Sequence, residues 1–228
     1  MSAGRITLEV AVETVADAEV AAASGADRLE LCATLDAGGL TPTPDTFRAV
    51  RAAVSLPVIV MIRPRPGDFL YSPEELSQMR DTVERFVGLG ADGVVFGPLT
   101  WDGRIDTDAL AELCRAAGSR ETVFHRAFDH VKEPDEALDA LAELGITRLL
   151  TSGPHPTAAD GIDFLKGLHE RAAGRIGVMP GGGVKPASAR AILDGTGCTQ
   201  LHGRFAVDGR TDGPTVAAVR EAVGHGRA

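Results

Sequence analysis

Strand-length apolar segments alternate with helix-length amphipathic segments from one end of the chain to the other, and few folds satisfy that pattern. Strands are expected at about 6–11, 27–32, 57–63, 91–97, 121–127, 147–152, 175–180 and 198–203. Helices are expected between and after them, at about 14–24, 44–54, 73–89, 106–117, 134–144, 158–172, 186–194 and 214–223. The boundaries carry their own chemistry. Ser72-Pro73-Glu74-Glu75 joins an N-cap serine, a proline at the first helical position and a capping-box glutamate. Pro44, Pro134, Pro186 and Pro214 stand where other helices begin, and Gly25, Gly90, Gly118, Gly145, Gly174 and Gly195 stand where helices stop. Within the third helix, Leu76, Met79, Val83, Phe86 and Val87 recur at one-face spacing.

Strands joined by helical crossovers make a parallel sheet, and eight right-handed βα units close into a (β/α)8 TIM barrel. A chain of 228 residues holds one such domain, spanning 1–228, without room for a second. A doubly wound open sheet is the alternative arrangement of the same units.

Alternation along each strand then decides what points inward. Glu9 shares a face with Thr7 and Ala11, opposite Leu8 and Val10; Arg28, Glu30 and Cys32 oppose Leu29 and Leu31. Met61, Arg63 and Arg65 share a side, as do Gln200 and His202. In the stretch Glu121 to Asp129, Val123, His125 and Ala127 share one face, and the downstream end carries His125, Arg126 and Asp129. A purely structural strand has no use for these three polar groups, because burying them costs free energy unless each is paired.

Active sites of barrels lie at the C-terminal ends of the strands. The expected mouth therefore holds Glu9, Glu30, Arg63, His125 and His202, with Cys32 above Glu30. Two carboxylates beside an arginine either tune one another for acid–base work or form a buried ion-pair network that fixes register. Glu9, Glu30, His125 and Asp129 are the candidate catalytic groups.

The candidate substrate contacts are Arg63, Arg65, Asp68, Ser152, Gly181, Gly182, Gly183 and His202. Arg63 to Tyr71 forms a basic, proline-stiffened loop able to present two guanidiniums to an anion. Gly181-Gly182-Gly183 follows the seventh strand, where barrels hold phosphate on backbone N–H groups, although a tight turn also uses glycine. Ser152 ends the sixth strand, and Gly203-Arg204 follows the eighth. Trp101-Asp102-Gly103 is expected as a turn on the barrel rim, while His130, His169 and His225 fall on loops or helix surfaces and receive no role.

Three scattered cysteines, Cys32, Cys114 and Cys198, lack CxxC spacing and indicate neither a disulfide framework nor a zinc knuckle. Cys32 alone points toward the mouth and is the candidate metal ligand. A net charge of -9 with dispersed basic residues argues against nucleic acid as a partner. No apolar run reaches membrane-spanning length and the N-terminus has no signal-peptide pattern, so a cytoplasmic location with a small-molecule or metal ligand is expected.

Several stretches carry a family resemblance: Gly25 to Cys32, Gly38 to Pro42, Met61 to Arg65 with Gly67 to Ser72, Phe124 to Asp129, Leu150 to Gly153, and Val178 to Val184. In that order over nearly the whole chain, they resemble the CutC copper homeostasis family. The resemblance implies a (β/α)8 barrel, a cytoplasmic homodimer or homotetramer, and Cu(I) bound through cysteines, with no other cofactor. The family often carries a cysteine in the first strand, where this chain has Ala11, leaving Cys32 of the pair. Two functions of different class follow: Cu(I) binding in copper homeostasis, and an enzyme acting on a small anionic or phosphorylated metabolite by acid–base chemistry at the mouth.

Overall fold

A computed structural model describes residues 6–224; His225 lies outside them. Eight parallel strands form one sheet: β1 (Thr7–Val12), β2 (Arg28–Leu31), β3 (Val58–Met61), β4 (Gly93–Phe96), β5 (Glu121–Phe124), β6 (Arg148–Thr151), β7 (Gly177–Pro180) and β8 (Gln200–Gly203). Their order is β7-β6-β5-β4-β3-β2-β1-β8, and the seam between β7 and β8 is bridged at Gly181 and His202. The result is a nearly closed barrel, as the repeated βα pattern requires, and the open-sheet alternative does not apply.

The crossovers are α1 (Val15–Ala23), α2 (Pro44–Ala53), α3 (Pro73–Gly88), α4 (Thr107–Ala117), α5 (Pro134–Glu143), α6 (Ile162–Ala172) and α7 (Pro186–Thr196), with α8 (Gly213–Val223) closing the chain. Ser72 and Glu75 form the expected capping box on α3, and Thr14 and Asp17 form another on α1. Met79, Val83 and Phe86 of α3 are buried against the barrel, with Leu76 and Val87 packed at the edge of the same stripe. Among the described residues, no helix is long and apolar enough to cross a membrane.

Strand alternation divides the core into two layers. Leu8, Val10, Leu29, Leu31, Val58, Val60, Leu149, Val178 and Leu201 join the helix-facing layer. Cys32, Ile59, Met61, Val95, Val123, Leu150 and Met179 fill the barrel interior. Interior positions on β1, β2 and β8 are polar instead, and register aligns them: Glu9 lies opposite Arg28 on one side and His202 on the other, while Ala11 lies opposite Glu30.

Three local departures from the expected pattern follow from side-chain chemistry. The strand expected at 121–127 stops at Phe124, because His125 turns its ring back to cap a 3-10 turn over Arg126–His130 and removes Ala127 from the sheet. The helix expected from 158 begins at Ile162, after a turn held by Thr157 and Asp160. A small hairpin of β9 (Ala206–Val207) and β10 (Arg210–Thr211) follows β8; its local pattern is too short to register as strands.

The end of the chain is fastened to the barrel floor by one buried guanidinium. Arg220 of α8, 5% exposed, donates to the carbonyls of Gly25, Ile6 and Gly224 and pairs with Asp27, whose carboxylate also accepts the Leu8 amide. Breaking a buried pair from one side costs about 3–5 kcal/mol. Arg220→Met should therefore lower stability by about that amount. Urea unfolding would show a lower midpoint at unchanged slope, and an unshifted midpoint would refute the clamp.

Candidate active site at the barrel mouth

A cavity of 430 Å³ opens at the C-terminal ends of the strands, its wall including Glu30, Met61, Arg63, His125, Gly182 and His202. Its floor is a chain of charges produced by strand register. Glu9, 1% exposed, is ion-paired to Arg28 through one oxygen and lies 2.8 Å from His202 Nδ1 through the other. Arg28 is fixed in turn by the Gln200 side-chain carbonyl at 2.9 Å. Burial opposes ionisation of Glu9, but Arg28 and then His202 outweigh it and hold its carboxyl well below the usual range.

On the far side of the imidazole, His202 Nε2 lies 3.6 Å from Glu30 Oε2. Glu30 stands two residues beyond Arg28 on the same strand face, and the small Ala11 opposite it leaves room for the cavity. Burial raises the Glu30 pKa; His202 works against that rise and Glu9 adds to it. Burial disfavours the His202 cation, yet the Glu30 and Glu9 carboxylates prevail and raise its pKa. The arrangement is an imidazole set between two carboxyl groups, only one of which, Glu30, faces the cavity.

Arg63 was expected beside those carboxylates, and the structure puts Arg28 there instead. Arg63, 5% exposed, turns to the loops, donating to the carbonyls of Ala37, Gly38 and Gly39 at 3.1, 3.3 and 3.3 Å and of Gly67 at 2.8 Å. It still lines the cavity. Arg65 turns away from the mouth, to Asp68 at 2.9 Å and Glu75 at 2.6 Å, so both Arg65 and the exposed Asp68 brace their own loop.

His125 is buried at the cavity wall, and Gly97 makes this possible, since a Cβ there would come within 2.3 Å of the ring. Its Nδ1 accepts the Ala127 amide at 3.2 Å, which leaves the ring proton on Nε2. Burial, then the Arg63 guanidinium, lower its pKa to about 3, so the ring is neutral near pH 7.

Asp129 and Ser152 lie beneath the rim rather than in it. Asp129 accepts from Arg126 Nε at 2.8 Å, from the Ser152 amide and hydroxyl at 3.1 Å each, and from the Thr151 hydroxyl. With both oxygens engaged, Asp129 acts as a support that aims Arg126, and Ser152 completes the same support by accepting from Arg126 Nη2 at 2.9 Å. Arg126 itself lines the cavity beside Gly182, where a Cβ would meet its guanidinium at 3.0 Å.

Gly182 and Gly183 reach the cavity, and Gly181 stays in the wall with its amide on Thr151. The amides of Gly182, Gly183 and Val184 have no protein acceptor among the described residues, and they lead into the N-terminus of α7. Lys185 and Arg204 also line the cavity. Lys185 carries no recognisable local motif, and only the fold reveals its place; Arg204 is clamped to Asp36 and Glu13.

For Cu(I), which favours thiolate and thioether, the donor set is thin. Cys32 is fully buried; burial first, then Glu30, push its thiol well above the usual range, and its Sγ lies 3.5 Å from Glu30. Cys114 and Cys198 belong to the helix-facing layer. Glu9, Glu30 and His202 offer donor atoms within 4.8 Å of one another, a harder set, but Glu9 is already committed to Arg28. These residues do not fit a tightly held Cu(I).

Residues 6–207 match the family model described as the CutC family. A human protein named copper homeostasis protein cutC homolog is 45% identical over 201 residues, covering 88% of this chain and 74% of the relative. A CutC family protein of Treponema denticola is 43% identical, covering 93% of this chain and 86% of its own. The crystal structure of a CutC protein from Streptococcus agalactiae superposes with TM-score 0.84 at 34% identity, covering 91% of this chain and all of that one. Thiamine phosphate pyrophosphorylase from Pyrococcus furiosus, at TM-score 0.66 and 19% identity, shares the barrel alone. With a family model matched over residues 6–207 and a relative 45% identical over 88% of this chain, the chain belongs to the CutC family.

Proposed function

We propose that the barrel mouth binds a small anionic metabolite and moves a proton on it, with Glu30 as the acid–base group. One observation carries this reading: Glu30 faces a cavity while standing 3.6 Å from an imidazole that Glu9 holds in place from behind. A carboxyl whose pKa is raised by burial is a better base once ionised and exchanges protons nearer neutrality. His202 is its positioning partner, oriented by Glu9 as a buried carboxylate orients a catalytic imidazole.

Anion preference is supported by the wall. Among the described residues Glu30 is its sole acidic lining residue, against Arg63, Arg126, Lys185 and Arg204. The amides of Gly182, Gly183 and Val184, without a protein acceptor among the described residues, add three donors just before the start of α7, a suitable seat for a phosphate-class oxygen set.

A second reading takes Cu(I) as cargo, prompted by the relatives named for copper homeostasis. One feature favours it: a Cβ at Gly39 would lie 3.2 Å from Cys32 Sγ and 3.3 Å from Met61 Cε, so one thiol and one thioether meet beneath that glycine. Such a site is sparse and suits weak, transient capture. Cys32→Ser should then weaken Cu(I) binding at least tenfold in competition with a chromophoric chelator, and unchanged affinity would remove the copper reading.

The acid–base reading has its own test. In deuterium oxide, with a panel of phosphorylated and carboxylated metabolites, the wild-type protein should incorporate deuterium into at least one. Glu30→Gln should slow that exchange by about 10²–10⁴-fold. No exchange by the wild type on any of them, or full exchange by the variant, would contradict it.

A further inference from the structure

Two groups on the cavity wall remain unexplained by the proton chain. Arg63 is a buried guanidinium with no carboxylate within ion-pairing distance among the described residues, and its Nε has no hydrogen-bond partner. Its guanidinium donates to neutral carbonyls, with the neutral Tyr71 hydroxyl also beside it. His125 Nε2, on the same wall, is also buried and without a partner. Buried donors are almost always satisfied, and a buried charge ordinarily has a counter-charge. Here a neutral N–H donor and a full positive charge are both left open within one cavity.

Phe69 links the two. Its half-buried ring lies 5.0 Å from the His125 ring and 4.9 Å from Arg63 Cζ, and it lines the cavity with them. The ring comes from the proline-stiffened loop that Arg65 braces through Asp68 and Glu75. A ring stacked on a guanidinium recovers part of the lost interaction but offers His125 no acceptor in its plane. Such a cover is replaceable by a ligand oxygen.

We propose that Arg63 and His125 form a carboxylate-binding subsite beneath Phe69, so that the metabolite taken by the mouth carries a carboxylate in addition to the anionic group seated on the Gly182–Val184 amides. This rests on the anionic-metabolite reading above and narrows its substrate class. A carboxylate supplies the missing counter-charge to Arg63 and an acceptor for the His125 Nε2–H, while a neutral oxygen accepts from His125 but leaves the Arg63 charge without a counter-ion. His125 donates as a neutral ring, so its contribution does not depend on protonation near pH 7.

Three probes separate the possibilities by calorimetry: inorganic phosphate, ethyl phosphate and phosphoglycolate, the last bearing both groups. The wild type should bind phosphoglycolate at least about tenfold tighter than ethyl phosphate. His125→Leu should lose most of that margin, and His125→Gln, which keeps a donor at the ε position, should recover part of it. Should the leucine variant fail to fold, imidazole nitrogen NMR of the wild type makes the same test: the His125 signals should move with phosphoglycolate and stay still with ethyl phosphate. Ethyl phosphate binding with no gain from the carboxylate overturns this subsite and leaves the anionic-metabolite reading standing. Failure of all three probes to bind overturns both.

Discussion

The ion pair between Glu9 and Arg28, continued through His202 to Glu30, is the constraint on which the mouth depends. An uncompensated carboxylate in this position would cost several kcal/mol, so Glu9 requires both neighbours. Parallel register supplies them at one level, Arg28 from β2 and His202 from β8. His202 also forms the bridge to Gly181 across the β7–β8 seam. The residue that stands between Glu9 and Glu30 thus also stands where the barrel closes, its backbone at the seam and its imidazole between the two carboxyl groups.

That coupling explains how a chain of net charge -9 presents a cationic mouth. Most of its acidic residues lie on the outer surface, while the carboxylates near the mouth, Glu9, Asp129, Glu13 and Asp36, are spent on Arg28, Arg126 and Arg204. Arg63 and Lys185 line the cavity wall without an ion-paired carboxylate among the described residues. A low-dielectric cleft lined this way concentrates anions whatever the overall charge. Cys32 experiences the same wall in reverse, because Glu30 beside it resists the thiolate that Cu(I) capture requires. The barrel fold itself decides nothing between these chemistries, since it serves many.

Most of the architecture was legible in the residues, and so was the inward-facing set on β1, β2 and β8. Proline and capping-box starts with glycine stops mark the crossovers locally, and two-residue alternation assigns Glu9, Glu30 and His202 to the interior without knowledge of any partner. Pairing was less legible. Arg63 and Arg28 are both inward-facing arginines near the carboxylates, and only strand register shows that Arg28 takes Glu9 while Arg63 serves loop carbonyls. His125 escaped the strand pattern because its own Nδ1 caps the next turn, a side-chain choice that periodicity does not encode. Arg65, Asp68, Asp129 and Ser152 have the right chemistry for substrate, but other side chains claim them: loop neighbours for Arg65 and Asp68, and a contact across more than twenty residues for Asp129 and Ser152. Lys185 joined the site only through the fold.

The two mouth histidines give the account its sharpest contrast, since the same barrel end should hold one imidazole charged and the other neutral. Site-resolved NMR titration of His202 and His125 in the wild-type protein measures this directly. His202 should titrate above the ordinary histidine value of about 6.5, and His125 should remain neutral until near pH 3. If His202 instead lost its proton below about 6.5 while His125 titrated at an ordinary value, the charge chain described here would be wrong.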